Sequence, residues 1–211
     1  MSDSSGNSFE FTFGPGDVRV HTDDAVFDGH FAVHRVSLSH RLFAGGWSEP
    51  ATREVFERGD AVGVLPWDPV KDQFVMLEQF RAGALRDERT PWMLELVAGV
   101  VEPGESDDDV ARREAVEEAG LTLQALAHVA CYYPSAGACS EQVSIFIGRV
   151  DAPATGGIGG LAEEGEDIRV HVLPRQQVME WLDRGEIVNG HTLVALQWLR
   201  IHGDRLRADW L

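Results

Sequence analysis

The stretch from Gly99 to Leu121, GVVEPGESDDDVARREAVEEAGL, constrains this chain more than any other. It carries a helix start, a helix stop and a row of carboxylates between them. Ser106 is a good N-cap, and Asp109 three positions later completes a capping box. Asp107, Asp108 and Asp109 put negative charge in the first turn, where the helix dipole favours it. Gly120 is placed to end the helix in a left-handed conformation. The expected helix therefore runs from Asp107 to Ala119.

Within that helix Glu114, Glu117 and Glu118 fall on or near one face. Like charges at this spacing repel by about 0.2–0.5 kcal/mol per pair. Val110, Ala111, Ala115 and Ala119 form only a small apolar stripe, so packing gives the helix little in return. Two readings remain open on local grounds. The face is a solvated acidic surface softened by Arg112 and Arg113, or a divalent cation neutralises it. Hard cations such as Mg²⁺ take oxygen ligands and commonly join carboxylates to substrate phosphates.

The rest of the chain narrows the field. Its 211 residues suit one domain with a modest extension, and an apolar fraction of 44% is ample for a packed core. No run approaches the roughly 18 apolar residues of a membrane span. The N-terminal MSDSSGNSFEF lacks the basic and apolar regions of a secretory signal, and residues 1–8 read as a disordered tail. Cys131 and Cys139 do not match a zinc pattern, and both are expected to be structural thiols in a cytosolic protein. A net charge of −17 argues against nucleic-acid or membrane-surface binding, since both partners are anionic. An acidic protein acting on an anionic substrate needs metal ions or local arginines, which agrees with the cation reading.

Taken in order, Val18–Val20, Phe31–Leu42, Thr52–Glu57, Ala61–Leu65, Gln73–Phe80 and Trp92–Ala98 read as strands before the helix. Ala127–Tyr133, Val143–Val150 and Ile168–Val172 follow it, with Asp151–Asp167 as a long Gly-rich loop. Two helices close the chain. The first has Pro174 at its N1 position and stops at Gly185; the second spans about His191 to His202. The pattern is mixed α/β around one central acidic helix.

Gly99, then Glu105 after five residues, then Arg113-Glu114-Ala115-Val116-Glu117-Glu118-Ala119-Gly120-Leu121 after seven more, resembles the signature of the Nudix hydrolases. Only the aliphatic slot at Ala115 is small. That resemblance implies an α/β/α sandwich around a mixed sheet, preceded by a small N-terminal β subdomain over 9–57, with the hydrolase domain at 58–211. It implies Mg²⁺ or Mn²⁺ and hydrolysis of a nucleoside diphosphate linked to another group.

Outside the signature, GLAEEGEDIRVHV at 160–172, ALQWL at 195–199, REVFERG at 53–59, EQFR at 78–81 and SAGACSE at 135–141 resemble the bacterial ADP-ribose pyrophosphatase branch of that family. By that resemblance Glu114 and Glu118 are the main metal ligands, with Glu117 and the carbonyl of Ala98 completing the set. Arg113, partnered by Glu105, holds the glutamates. Arg81 and Glu141 meet the phosphates and terminal ribose. Arg53 and Glu54 reach adenine from a neighbouring subunit, which implies a swapped homodimer. Glu164 is the expected general base, with Glu166 assisting or ligating metal. Where that branch places an aromatic residue against adenine, this chain has His30. The implied reaction converts ADP-ribose to AMP and ribose 5-phosphate. The alternatives are hydrolysis of another nucleotide sugar, such as GDP-mannose, or non-catalytic binding of ADP-ribose.

Overall fold

Strand alternation decides how the layers stack. In β4 (Ala61–Asp68) Val62 and Val64 turn to one side, and Leu65 and Trp67 to the other. β5 (Gln73–Phe80) divides Val75 and Leu77 from Phe74 and Met76 in the same way. A computed structural model describes residues 9–161, 163 and 165–211. Both of these strands are buried on both faces, as a central position between two helical layers requires.

Before the acidic helix, β6 (Trp92–Glu95) and β7 (Val97–Val100) follow β5. The helix itself, α1, runs Asp107–Ala119, and β8 (Ala125–Tyr132), β9 (Val143–Arg149), β10 (Gly157–Gly159) and β11 (Ile168–Pro174) come after it. The strand order is β10-β11-β5-β4-β9-β8, with β6 on β5 and β7 on β4. β4 and β9 are parallel, and the other pairings are antiparallel. α1 covers the face of Val62, Val64, Val75 and Leu77 with Val110, Ala111 and Ala115. Helices α2 (Arg175–Asp183) and α3 (Gly190–Trp210) cover the other face, with Val178, Leu196 and Leu199 against Trp67, Phe74 and Met76. The result is the α/β/α sandwich around a mixed sheet.

The chain divides into two units. The second, just described, comprises Gly59–Pro134 and Glu141–Leu211. The first takes the residues before Gly59 together with Ser135–Ser140. It is a three-stranded antiparallel sheet of β1 (Val18–Asp28), β2 (Ala32–His40) and β3 (Ala51–Glu57), in that order. Ser135–Ser140 joins it through the Phe56 amide, which donates to the Ala138 carbonyl at 2.8 Å. The tail expected at 1–8 lies outside the described residues.

Five elements differ from the sequence expectation. β1 runs on from Val20 to Asp28 because it pairs with β2 along its whole length. Pro174 ends β11 and caps α2 instead of opening the helix at N1. Trp92–Ala98 is two strands rather than one, because the segment leaves β5 after Glu95 and joins β4 from Val97. The loop expected at 151–167 contains β10, whose Gly157–Gly159 pairs with Ile168–Val170. α3 continues beyond His202 to Trp210. Gly203 is buried within it, where a Cβ would lie 2.8 Å from Arg175 Nη1. Leu206 and Trp210 continue the packed face, the latter meeting Trp67 at a tilt with ring centroids 5.9 Å apart.

Candidate active site

The capping box forms as its residues dictate. Ser106 Oγ accepts the Asp109 amide at 3.3 Å, and Asp109 Oδ2 accepts the Ser106 amide at 3.4 Å. Gly120 closes α1 at φ 64°. With both ends fixed and small residues toward the sheet, the helix presents its glutamates to the β7 backbone. Glu118 is 2% exposed, and its Oε2 accepts the Ala98 amide at 3.0 Å. Glu114 lies directly over Gly99, where a Cβ would come within 1.6 Å of its Oε1. Glycine is required there by space. Gly99→Ala should push Glu114 aside and lower activity roughly tenfold or more while circular dichroism stays unchanged; full activity would show that Glu114 needs no such seat.

Arg113 gathers the carboxylates. Its Nε and Nη2 grip Glu105 Oε1 and Oε2, each at 2.9 Å. Its Nη1 donates to Glu114 Oε1 at 2.6 Å and to Glu117 Oε2 at 3.1 Å. The Glu105 hydrogen bonds raise the Arg113 pKa above the usual arginine value, and the same contact lowers that of Glu105. Burial acts the other way on Glu114 and Glu118. It raises the Glu114 pKa despite Arg113. Burial, helped by the charges of Glu114 and Glu166, pushes Glu118 up to about 8 against the Ala98 hydrogen bond.

Arg81 stands within the field of Glu118 and Glu166. Its Nε donates to Glu95 Oε2 at 2.9 Å, and Nη2 lies 2.8 Å from the same oxygen. Burial lowers the Arg81 pKa, but the Glu95 contact outweighs it and the net change is upward. Glu166 accepts the Leu161 amide at 3.2 Å. Thus Glu114, Glu118, Glu166 and Arg81 influence one another in one place, with Glu117 and Glu105 tied in through Arg113.

Glu141 is buried just before β9, and its charge reinforces burial in raising the Tyr132 pKa. His30, Arg53 and Glu54 belong to the first unit. His30 packs against Phe31 with tilted rings whose centroids are 4.4 Å apart, Arg53 Nη1 donates to the Thr52 carbonyl at 2.8 Å, and Glu54 pairs with Arg35 at 3.6 Å. Glu164 lies outside the described residues. Sequence reasoning missed Glu95, which is 3% exposed and anchors Arg81. Its signal was a single acid inside the apolar run WMLELVA.

Among the described residues, no three acidic, imidazole or thiol groups close into a preformed cage; Glu114 and Glu117 lean on Arg113 instead. The residues nevertheless fit a hard divalent cation. The donors are all oxygens, and Glu118 is a deeply buried carboxylate whose ionised form is penalised until a positive charge arrives. In the metal-free protein the folded state holds the Glu118 proton more tightly than the unfolded state does. This group's stability contribution is therefore fully present below the ordinary value of 4.5 and is lost as pH rises toward about 8. A divalent cation favours the ionised form, so its stabilising effect should grow over the same window. The Mg²⁺-induced rise in Tm should be larger at about pH 8 than at about pH 6; equal rises would contradict Glu118 as a ligand.

A domain model described as "NUDIX domain" matches residues 57–195. The ADP-ribose pyrophosphatase of Escherichia coli (strain K12) is 47% identical over 199 residues, covering 94% of this chain and 95% of that protein. The GDP-mannose pyrophosphatase of Enterobacter sp. (strain 638) is 32% identical over 188 residues, covering 88% and 96%. A solved structure described as "Crystal structure of ADP compounds hydrolase" superposes with a TM-score of 0.69 at 20% identity, covering 96% of this chain and all of that one; it bears on the fold alone. The domain match spans the acidic helix, its glycine seat and every strand of the central sheet, and on these grounds the chain belongs to the Nudix family.

Proposed function

We propose that this chain hydrolyses the diphosphate of ADP-ribose to AMP and ribose 5-phosphate. Glu114, Glu117, Glu118 and the Ala98 carbonyl would hold Mg²⁺, with Mn²⁺ able to replace it. The observation that carries the reading is the acidic face of α1, with Glu118 buried on the Ala98 amide, Glu114 seated over Gly99, and Glu114 and Glu117 held by Arg113. The identity to a relative named for ADP-ribose, well above that to one named for GDP-mannose, supports the choice of substrate.

When bound, the cation supplies Lewis-acid chemistry, lowering the pKa of a coordinated water and neutralising charge on the phosphates. The chain's own residues do the rest. Arg113 and Glu105 keep Glu114 and Glu117 in place. Arg81 binds the diphosphate and orients it, and Glu141 serves the phosphates and terminal ribose. Glu164 takes the proton of the attacking water, whose oxygen bonds to phosphorus as the bridging oxygen leaves. Glu166 assists from the same loop, and that loop's glycines suit closure over substrate. The test is a side-by-side measurement of kcat/KM for ADP-ribose and GDP-mannose in Mg²⁺. ADP-ribose should lead by tenfold or more; a lead for GDP-mannose would move the chain to the rival substrate.

The same reading makes the first unit a dimerisation element. Each chain sends Arg53 and Glu54 to the adenine held by the other chain in a swapped homodimer, with His30 in the aromatic position. The exposure of that unit supports this. Every residue of β1 is exposed, including Val18, Val20, Val26 and Phe27, and Phe43 is 87% exposed. Mixing an Arg53→Ala chain with a Glu118→Gln chain, each poorly active, should restore about one working site per mixed dimer. No recovery after confirmed subunit exchange would place each site within a single chain.

A further inference from the structure

Arg81 is held from behind by a relay that begins on the last helix. Glu95 is buried and divides its two oxygens. Oε2 takes Arg81, while Oε1 accepts Asn189 Nδ2 at 2.9 Å. Asn189 is the N-cap of α3, and its Oδ1 accepts both the Thr192 amide at 2.9 Å and Thr192 Oγ1 at 3.0 Å. Those two bonds fix which end of the amide is oxygen, so Nδ2 must face Glu95. Thr192 Oγ1 in turn accepts the Leu96 amide at 3.0 Å, tying the helix start to the residue after Glu95. Thr192 is fully buried.

This arrangement does more than fill space. Arg81 stands in the field of Glu118 and Glu166 as well as Glu95. Without a stronger anchor, its guanidinium would settle on those carboxylates and compete with a cation for them. Glu95 engages the Nε–Nη2 edge of the planar fork, which leaves the Nη1 edge for a second anion. We propose that Asn189 and Glu95 are positioning residues that aim Arg81 at the substrate diphosphate and keep it off the α1 glutamates. The proposal rests on the functional reading above for the identity of that anion.

The test separates positioning from helix capping. Asn189→Ser keeps an N-cap oxygen but loses the donor to Glu95. It should stay folded and melt only a few degrees below the parent, the cost of one buried carboxylate oxygen losing its donor. Its KM for ADP-ribose should rise roughly three- to tenfold with little change in kcat, the size of one oriented hydrogen bond. On an Arg81→Ala background the same substitution should add nothing, because its effect passes through Arg81. A second readout needs no substrate. The Arg81 Nε–H resonance, assigned by its loss in Arg81→Lys, should be sharp and slowly exchanging in the parent and shifted or broadened in Asn189→Ser. Additive kinetic losses in the double variant, or an unmoved Nε–H resonance in Asn189→Ser, would overturn the relay. If the parent itself leaves ADP-ribose intact, the functional reading fails on that result alone, and the resonance decides the relay.

Discussion

Replacing Glu118 with glutamine should abolish most turnover and, in the absence of divalent cation, make the protein more stable. The two effects share one cause. The Glu118 carboxylate is buried beside Glu114 and Glu166, and its ionised form is disfavoured until about pH 8. Glutamine keeps the shape and can still accept the Ala98 amide that now donates to Oε2 at 3.0 Å. It removes the charge that burial penalises, so Tm in chelator should rise, with the gain largest on the alkaline side of the window. The same change removes an anionic oxygen from the cation's donor set. Activity in saturating Mg²⁺ should fall at least about 10²-fold. Near-normal turnover, or a lower Tm in chelator at alkaline pH, would sink the assignment of Glu118.

The loop glutamates should separate by kinetics. Glu164→Gln should lower kcat by ~10²–10⁴-fold while KM stays close to the parent value, because a general base acts mainly in the transition state. Glu166→Gln should behave differently. Its charge raises the pKa of both Glu114 and Glu118, so its removal should make those carboxylates easier to ionise while taking one anionic oxygen from the cluster. The expected result is a weaker apparent Mg²⁺ affinity with a smaller loss in kcat. If Glu166→Gln is crippled at saturating Mg²⁺ and Glu164→Gln is not, Glu166 is the base.

The local part of the site could be read from residue order. Ser106, Asp109 and Gly120 specify α1 because caps act within one turn, and both ends fall where those residues place them. The shared face of Glu114, Glu117 and Glu118 follows from helical spacing alone. The requirement for Gly99 is of another kind. The signature position is visible in sequence, but its cause, a glutamate lying on the backbone, is a contact between strand and helix. Glu95 and Asn189 were illegible as a pair, being 94 positions apart, and Asn189 read alone is only a helix start. The extent of α3 was not readable near His202, because the packing of Leu206 and Trp210 against the sheet carries the helix on to Trp210. Partner strands were not readable either. Leu96 gives no sign that β6 and β7 pair with different strands.

The central claim is that the α1 carboxylates bring a divalent cation to the diphosphate of ADP-ribose. The most direct measurement is the product balance of ADP-ribose incubated with the purified chain, in Mg²⁺ and again in excess chelator. AMP and ribose 5-phosphate should appear in equal amounts in Mg²⁺, and neither should appear in chelator. Intact ADP-ribose in Mg²⁺, or the same products at the same rate in chelator, would contradict it.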